Sequence, residues 1–255
     1  MRWSNRQATQ IRMANPPPPS GDIHRRDFDV RVSVSIDGRP VANDRHRVSN
    51  RGRSTSDAAV RGIELLRNRP HLFAGVLAVV DLHNDPTDVH DDLASLGPAV
   101  IDFNLPHATH DAPPGRTNPA EPEYGRWLSR VYDAWTNADS YTHSVRILED
   151  IVALSLGAKG FVESLGLAPA DIVVVECDGS IENIDTLKAA APGAASLGLG
   201  VFDHTFDEVA NHPAIQRRQV GVVALAEECQ RCPLVEEFEG KVNYRVGSDI
   251  PEPLG

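Results

Sequence analysis

The sequence predicts an α/β fold built on a parallel β-sheet. Residues 28–36 alternate apolar and polar side chains, whereas residues 73–80 and 99–105 are short, continuous apolar runs typical of strands buried on both faces. Helical spacing separates these three stretches. This strand–helix order implies right-handed crossovers, which make the strands parallel. In parallel sheets, binding sites form in the loops after the carboxyl ends of the strands.

Each helix is predicted from apolar residues that recur on one face. From Ser56, residues Ala59, Ile63 and Leu66 share a face, and Ser54 or Ser56 is suited to cap the helix start. Further helices are expected over residues 89–96, 121–138 and 143–165, followed by a strand at 171–176 and short helices over 206–227.

The composition divides the chain into three parts. Residues 1–27 contain a polyproline stretch that suits neither a helix interior nor a sheet, so we expect a disordered leader. The α/β alternation fills residues 28–142, and residues 143–255 have a different character, rich in glycine and alanine and carrying all the cysteines. The first ordered strand is apolar on alternate residues and would present an exposed edge unless the leader or a second chain covers it.

The net charge excludes some partners. A charge of −11 opposes non-specific binding to nucleic acid and to anionic membranes. The longest apolar runs fall far short of the ~20 residues that a spanning helix needs. We therefore interpret the chain as a cytoplasmic protein that binds neither nucleic acid nor membrane.

The cysteines indicate metal chemistry. Cys229 and Cys232 have the two-residue spacing that places both sulfurs on one ion, and Cys177 lies about fifty residues upstream, after a predicted strand. Three thiolates leave a four-coordinate site incomplete, so His204, His212 or an exogenous ligand would be needed. The spacing does not decide between zinc and an iron–sulfur cluster, and unrelated surface cysteines are the alternative.

The loop after the first strand is a candidate ligand site. Arg47 could hold a carboxylate through two parallel hydrogen bonds, while Ser35 or Asp37 receives an amino or hydroxyl group. This set suits a small zwitterionic ligand. The alternative is a solvated turn with ordinary surface charges.

Histidines gather after the next two strands. His83 follows the second strand, and His107 and His110 follow the third. Such residues could bind a metal or act as a general base, but they often fix loops by hydrogen bonding. With Asp111, His107 and His110 would also suit a metal-free hydrolase, although no nucleophile is evident.

The order of the motifs resembles radical S-adenosylmethionine (SAM) enzymes with a C-terminal SPASM-type auxiliary-cluster domain. The matching segments are 32–38, 43–47, 105–114, 176–180 and 229–233. Within that group the chain looks most like the FxsB-type maturases, which modify ribosomally made peptides.

The resemblance implies a fold, cofactors and site residues. It implies the C-terminal half of a parallel (β/α) barrel, here over residues 28–142, and a small SPASM-like domain over 143–255. Ser35, Asp37 and Arg47 match the strand-four motif and the arginine that face SAM. The cysteines at 177, 229 and 232 match ligands of an auxiliary four-iron, four-sulfur cluster.

Two departures from the family qualify this expectation. Relatives carry a Cys-x3-Cys-x2-Cys loop after the first barrel strand, but this sequence has no cysteine before Cys177. Relatives also have a cysteine where Phe238 stands, and phenylalanine cannot bind iron. We therefore expect a truncated or degenerate peptide maturase that is not competent alone, or one that is complemented by a chain supplying the missing barrel half. The alternative is a non-enzymatic, zinc-stabilised α/β binding protein.

Overall fold

The structure is a computed structural model. It describes residues 31–108, 112–118, 120–138, 141–158, 172–184, 191–225 and 227–232, together with residues 160, 162, 165, 187, 188 and 235. The predicted leader, His110 and Asp111 lie outside this part. The chain forms two compact units: the first runs to Pro106 and from Arg116 to Glu149, and the second comprises His107–Gly115 and the residues from Asp150 onward.

The first unit contains a four-stranded parallel sheet, so this prediction is confirmed. Its strands are β1 (Val32–Ser35), β2 (Phe73–Val79), β3 (Val100–Asn104) and β4 (Ser144–Val145), in spatial order β1-β2-β3-β4. Every neighbouring pair is parallel. The carboxyl ends of all four strands therefore lie along one edge of the sheet.

Four helices connect these strands: α1 (Pro40–Asn43), α2 (Ser56–Arg67), α3 (Pro86–Ser95) and α4 (Glu123–Thr136). The third begins three residues before the predicted start, because the Asp85 side chain accepts hydrogen bonds from the backbone N–H groups of Thr87 and Asp88, and Pro86 occupies the first turn. At the start of α2 the N-cap residue is Thr55, whose side chain forms no capping hydrogen bond, so neither Ser54 nor Ser56 is the N-cap. The Ser54 hydroxyl instead accepts a hydrogen bond from the Ser56 N–H just before the helix.

One face of the sheet is apolar and forms the core of the first unit. Val34, Val76 and Ile101 lie side by side in register across β1, β2 and β3. Phe103 meets Trp127 of α4 edge to face, with ring centroids 5.4 Å apart. The helices contribute further buried residues, namely Ile63, Leu66, Val89, Leu93, Leu128 and Val131.

The predicted helix over residues 143–165 is wrong at both ends. Ser144 and Val145 instead pair with β3 as strand β4, and the helix α5 spans Arg146–Ser155. It ends before Gly157, which has a positive φ of 75° that glycine adopts without a Cβ penalty. Periodicity missed the strand because a two-residue strand is too short to establish an alternation.

The second unit contains a small antiparallel sheet of β5 (Val174–Val175), β6 (Ser180–Glu182) and β7 (Ser196–Gly200). Short helices follow, namely α6 (Phe206–Ala210), α7 (Pro213–Gln216) and α8 (Glu227–Gln230), with 3₁₀ turns at Arg217–Gln219 and Gly221–Ala224. Ile181, Leu197, Val209 and Ile215 form the buried core of this unit. The strand predicted at 171–176 is therefore present but short.

Across the described ranges, no helix is both long and apolar enough to cross a bilayer.

Candidate functional site

The face of the sheet opposite the helices is polar. Because side chains alternate along a strand, the residues between the core positions point to this face. Ser35, Leu77 and Asp102 form one row in register across β1, β2 and β3. Val79 and Asn104 form the next row toward the carboxyl edge. Ser35, Leu77 and Asn104 are half-buried, so this face lacks the tight packing of the core face.

Asp37 and Arg47 form an ion pair at the carboxyl end of β1. Arg47 donates from Nε to Asp37 Oδ2 at 2.6 Å and from Nη2 to Asp37 Oδ1 at 3.0 Å. The Asp37 side chain is 5% exposed, and its Oδ1 also accepts a hydrogen bond from the Val79 N–H at 2.9 Å. This parallel pairing is the strongest geometry for a guanidinium and a carboxylate.

The loop around this pair is fixed from both ends. The Asp37 N–H donates to Asn43 Oδ1 at 3.3 Å, and the Thr55 hydroxyl donates to the Arg47 carbonyl oxygen at 2.6 Å. The sequence predicted that Asp37 and Arg47 contact a ligand separately. The structure brings them together, so Asp37 orients the guanidinium through its Nε–Nη2 edge.

Asp81 joins the loops that follow β1 and β2. Its Oδ2 lies 2.9 Å from Arg45 Nε and 3.3 Å from His46 Nε2. Its Oδ1 accepts from the His83 backbone N–H at 2.9 Å and contacts His83 Nδ1 at 2.8 Å. Burial alone would raise the pKa of Asp81, but the hydrogen bonds from His83 and the charge of Arg45 together lower it. His83 therefore has the contacts of a loop-fixing residue.

Asp102 and Arg146 form a second charged pair on the polar face. Arg146 Nη2 binds Asp102 Oδ2, and the Asp102 side chain is 6% exposed. Sequence analysis did not select either residue. The available signal was a carboxylate inside the apolar run 99–105, because an aspartate is rarely buried without a partner.

A buried histidine pair also escaped the sequence analysis. His90 Nε2 and His143 Nε2 lie 3.1 Å apart, with the two residues 3% and 7% exposed. The Nδ1 atoms of His90 and His143 contact Asp91 and Thr142, respectively. Burial, and then the nearby charge of His90, lower the pKa of His143.

Two of the three cysteines, Cys177 and Cys232, are exposed. Cys177 is at the tip of the β5–β6 turn, Cys232 follows α8, and neither forms a disulfide. The Cys229 side chain lies outside the described part. No group of three His, Cys, Asp or Glu residues suited to a metal occurs in the portion of the chain that the structure describes.

The two histidines considered as a fourth ligand hold backbone groups through Nδ1. His204 accepts a hydrogen bond from the Gly200 N–H at 3.2 Å. His212 accepts one from the Ala214 N–H, also at 3.2 Å, and thereby caps α7. Because Nδ1 of each ring accepts a backbone hydrogen bond, only the Nε2 atom of each ring is left to bind a metal. His107, the remaining described candidate, is exposed.

Comparisons with known proteins place the chain near sulfatase-maturating enzymes. No protein-family model matches the chain. It is 37% identical over 82 residues to the serine-type anaerobic sulfatase-maturating enzyme of Klebsiella aerogenes. The aligned segment covers 31% of this chain and 20% of that enzyme. This part of the chain is homologous to that enzyme, which agrees with the resemblance to radical SAM/SPASM proteins.

Solved structures share the fold. Native anSMEcpe with bound AdoMet superposes with a TM-score of 0.70 and 17% identity, over 91% of this chain and 64% of that one. Native anSMEcpe with bound AdoMet and the Cp18Cys peptide gives a TM-score of 0.70 and 16% identity, over 91% and 65% of the two chains. The chain thus spans a fifth of its curated relative and just under two thirds of these neighbours.

Proposed function

We propose that this chain is part of a radical SAM/SPASM-type peptide maturase, of the FxsB type, and that it binds SAM on the polar face of its parallel sheet beside Ser35 and the Asp37–Arg47 pair. The observation that carries the proposal is the buried, doubly hydrogen-bonded Asp37–Arg47 pair at the carboxyl end of β1. It lies where parallel sheets place their ligands. The homology to a sulfatase-maturating enzyme and the AdoMet bound by the structural neighbours support SAM as the ligand.

The residues at this end of the sheet fit SAM chemically. SAM carries an α-carboxylate, an α-ammonium group and ribose hydroxyls. Because Asp37 uses the Nε–Nη2 edge of Arg47, a bound carboxylate would be received on the Nη1 side of the guanidinium. The Ser35 hydroxyl and the Asn104 amide offer donors and acceptors to the remaining polar groups. When bound, SAM would supply the adenosyl group from which radical enzymes generate their hydrogen-abstracting species.

The residues of this chain position groups in the proposed reaction and do not supply electrons. Asp37 holds the Arg47 guanidinium in one orientation, and the Val79 N–H fixes Asp37 in turn. Leu77 and Val79 provide the apolar surface between the two charged pairs of this face. The substrate would be a ribosomally made peptide, in keeping with the peptide bound by one structural neighbour.

We further propose that the 255 residues do not start radical chemistry by themselves. Their three cysteines lack the Cys-x3-Cys-x2-Cys spacing that holds the electron-donating cluster in the family. A further segment or a second chain would have to supply that loop and the remaining strands. Cys177, Cys229 and Cys232 remain the proposed ligands of an auxiliary iron–sulfur cluster, and zinc at these residues is the alternative.

Titration calorimetry with SAM tests the proposed site. Ser35→Ala removes one hydroxyl from a half-buried position, and we expect it to weaken SAM binding by about fivefold, the value of one hydrogen bond. Arg47→Lys removes the planar fork, and we expect a loss of roughly tenfold to a hundredfold. Arg39→Lys is the matched control, since its pair with Asp92 lies on the surface.

The proposed site is wrong if Ser35→Ala and Arg47→Lys bind SAM as well as the Arg39→Lys control does. Circular dichroism and thermal unfolding of each variant keep a folding defect separate from a binding defect. The absence of SAM binding to the unmodified chain would likewise overturn the proposal.

A further inference from the structure

The Asp102–Arg146 pair forms fewer hydrogen bonds than the Asp37–Arg47 pair does. Arg47 uses both Nε and Nη2 on the two oxygens of Asp37. Arg146 contacts Asp102 through Nη2 and Oδ2, whereas Asp102 Oδ1 and Arg146 Nε are buried and have no hydrogen-bond partner among the described residues. One acceptor on Asp102 and one donor on Arg146 therefore remain unused.

Such a pair is costly unless a ligand completes it. A buried polar atom without a partner costs about 1–3 kcal/mol, more when it is charged. The Arg146 side chain that covers Asp102 is itself 43% exposed, so the pair adjoins solvent on its outer side. Leu77, the register neighbour of Asp102 in β2, is half-buried. The Arg146 side chain is thus the member of the pair that faces solvent.

The unused atoms define the chemistry of the ligand. The ligand must present a hydrogen-bond donor to Asp102 Oδ1 and an acceptor to Arg146 Nε. A residue of an extended peptide does this, because its backbone N–H and C=O point to the same side, as they do when strands pair. Because the charges of the aspartate and the arginine cancel, a neutral peptide backbone can bind without bringing a compensating charge.

The position of the pair separates it from the proposed SAM site. Asp102 is on β3 and Arg146 follows β4, whereas Ser35 and Asp37 belong to β1 and the turn after it. Neighbouring strands lie about 4.8 Å apart, so β1 and β3 are roughly 10 Å apart across the sheet. That separation leaves room for a second reactant beside SAM on the same face.

The geometry points to Asp102 and Arg146 as the binding site for the backbone of the substrate peptide, held in an extended conformation. The N–H of one peptide residue donates to Asp102 Oδ1, and the C=O of the same residue accepts from Arg146 Nε. Recognition of this kind is independent of the side-chain sequence, as in other strand-addition modes of peptide binding. The inference rests on the proposed function for the identity of the ligand as a peptide.

A one-residue probe tests this recognition with the 255-residue chain. Acetyl-valine-methylamide carries the donor and the acceptor on one residue, and its analogue methylated on the valine nitrogen lacks the donor. A probe of this size binds with a Kd on the order of millimolar, within reach of chemical-shift titration by NMR. We expect saturable shifts at residues 101–103 with the first probe and at least tenfold weaker binding of the methylated one.

A double variant of Asp102 and Arg146 removes both charges together, so that neither charge is left buried without its partner. Asp102→Leu combined with Arg146→Met replaces the pair by apolar side chains of similar size, an exchange that buried ion pairs generally tolerate. We expect this double variant to lose binding of acetyl-valine-methylamide while retaining SAM binding. Arg146→Lys, which keeps the charge, is a second variant should the double variant fail to fold, and we expect at least tenfold weaker probe binding.

Several results would overturn the inference. Equal affinity for the two probes, unchanged binding by the folded double variant, or no saturable shift with the unmodified chain would each do so. A SAM α-ammonium and α-carboxylate could also meet the two atoms. SAM-induced shifts at residues 101–103 that vanish in the double variant would assign the pair to SAM instead of the peptide. If Arg47 variants lose SAM binding but still bind the probe, the SAM site alone is disturbed and the inference about Asp102 and Arg146 stands.

Discussion

Arg47 and Asp37 stabilise the loop after β1 in addition to forming the proposed SAM site. The Asp37 side chain is 5% exposed and that of Arg47 is 25% exposed, so much of the pair is shielded from water. Removing one partner of a buried ion pair leaves an uncompensated charge. The pair should therefore contribute to the free energy of unfolding as well as to ligand binding.

Arg47→Met should lower the free energy of unfolding by about 3 kcal/mol, measured by urea denaturation. Arg39→Met breaks a surface pair with Asp92 and should leave the free energy of unfolding nearly unchanged. Equal effects of the two substitutions would show that the Asp37–Arg47 pair stabilises the protein no more than a surface ion pair does.

Two glycines give a second test at the residue scale. Gly75 in β2 has a φ of 144°, and a Cβ there would lie 2.3 Å from the Val100 carbonyl oxygen of β3. Gly75→Ala should therefore destabilise the protein by at least about 2 kcal/mol. Gly62 in α2 has no atom within 4 Å of its Cβ position, so Gly62→Ala should stabilise by roughly 0.5–1 kcal/mol. A well-tolerated Gly75→Ala in thermal unfolding would contradict the β2–β3 packing.

The sequence pattern selected some residues of the proposed sites and missed others for a physical reason. Ser35, Asp37 and Arg47 follow an alternating strand that ends in an Asp-Gly turn, which is a strong local signal. Asp102 and Arg146 are 44 residues apart, and they meet because β3 pairs with β4. A pairing between distant segments leaves no local pattern, so composition and spacing could not predict this contact.

At the scale of elements, the His90–His143 contact joins α3 to the residue before β4. The two Nε2 atoms lie 3.1 Å apart in buried surroundings. One proton between the two Nε2 atoms forms a hydrogen bond, whereas a second proton there would turn two N–H groups toward each other and remove that hydrogen bond. The contact between α3 and the start of β4 should therefore weaken in acid.

The direction of the pH effect follows from the lowered pKa of His143. As pH falls below about 6.5, the unfolded chain takes up a proton at this residue before the folded chain does. The stability due to this residue is thus complete above that pH, declines below it, and levels off below the folded pKa. We expect the thermal midpoint of the wild type to fall between about pH 7.5 and 5.5.

Replacing His143 should remove this part of the pH dependence. His143→Gln should flatten the decline in thermal midpoint relative to wild type, whereas His71→Gln, at an exposed position, should not. If His143→Gln and wild type decline in parallel, the histidine pair does not control acid stability.

The elements themselves were predictable in proportion to their length. The strands β2 and β3 were predicted nearly at their observed bounds because each is a continuous apolar run, and the helices α2 and α4 because each carries several turns of apolar periodicity. Strand β4 has two residues and was predicted as part of a helix. Its strand conformation comes from hydrogen bonding to β3, a tertiary interaction that local propensity does not encode.

At the scale of the molecule, the strand–helix alternation predicted the parallel sheet but not what lies beside its first strand. Among the described strands, β1 pairs with β2 alone, which is compatible with the proposal that further strands come from another segment or chain. The polar face lies opposite the helices and carries both charged pairs. The sequence indicated parallel strands through its crossovers, whereas the spatial order β1-β2-β3-β4 is known from the structure alone.

The cysteines provide a test of metal binding by the whole chain. After anaerobic reconstitution with iron and sulfide, we expect the broad visible absorbance of an iron–sulfur cluster, and Cys229→Ser should release the iron. Metal analysis of the chain as isolated distinguishes this outcome from zinc, which gives a colourless protein. Iron that is retained in Cys229→Ser would exclude this residue as a ligand.

The most direct test of the account is the fate of SAM with the 255-residue chain alone. The chain is reconstituted anaerobically with iron and sulfide, given dithionite and SAM, and the 5′-deoxyadenosine formed is quantified by chromatography. The account predicts bound SAM with no 5′-deoxyadenosine above the protein-free background. Stoichiometric 5′-deoxyadenosine without any added chain would contradict it.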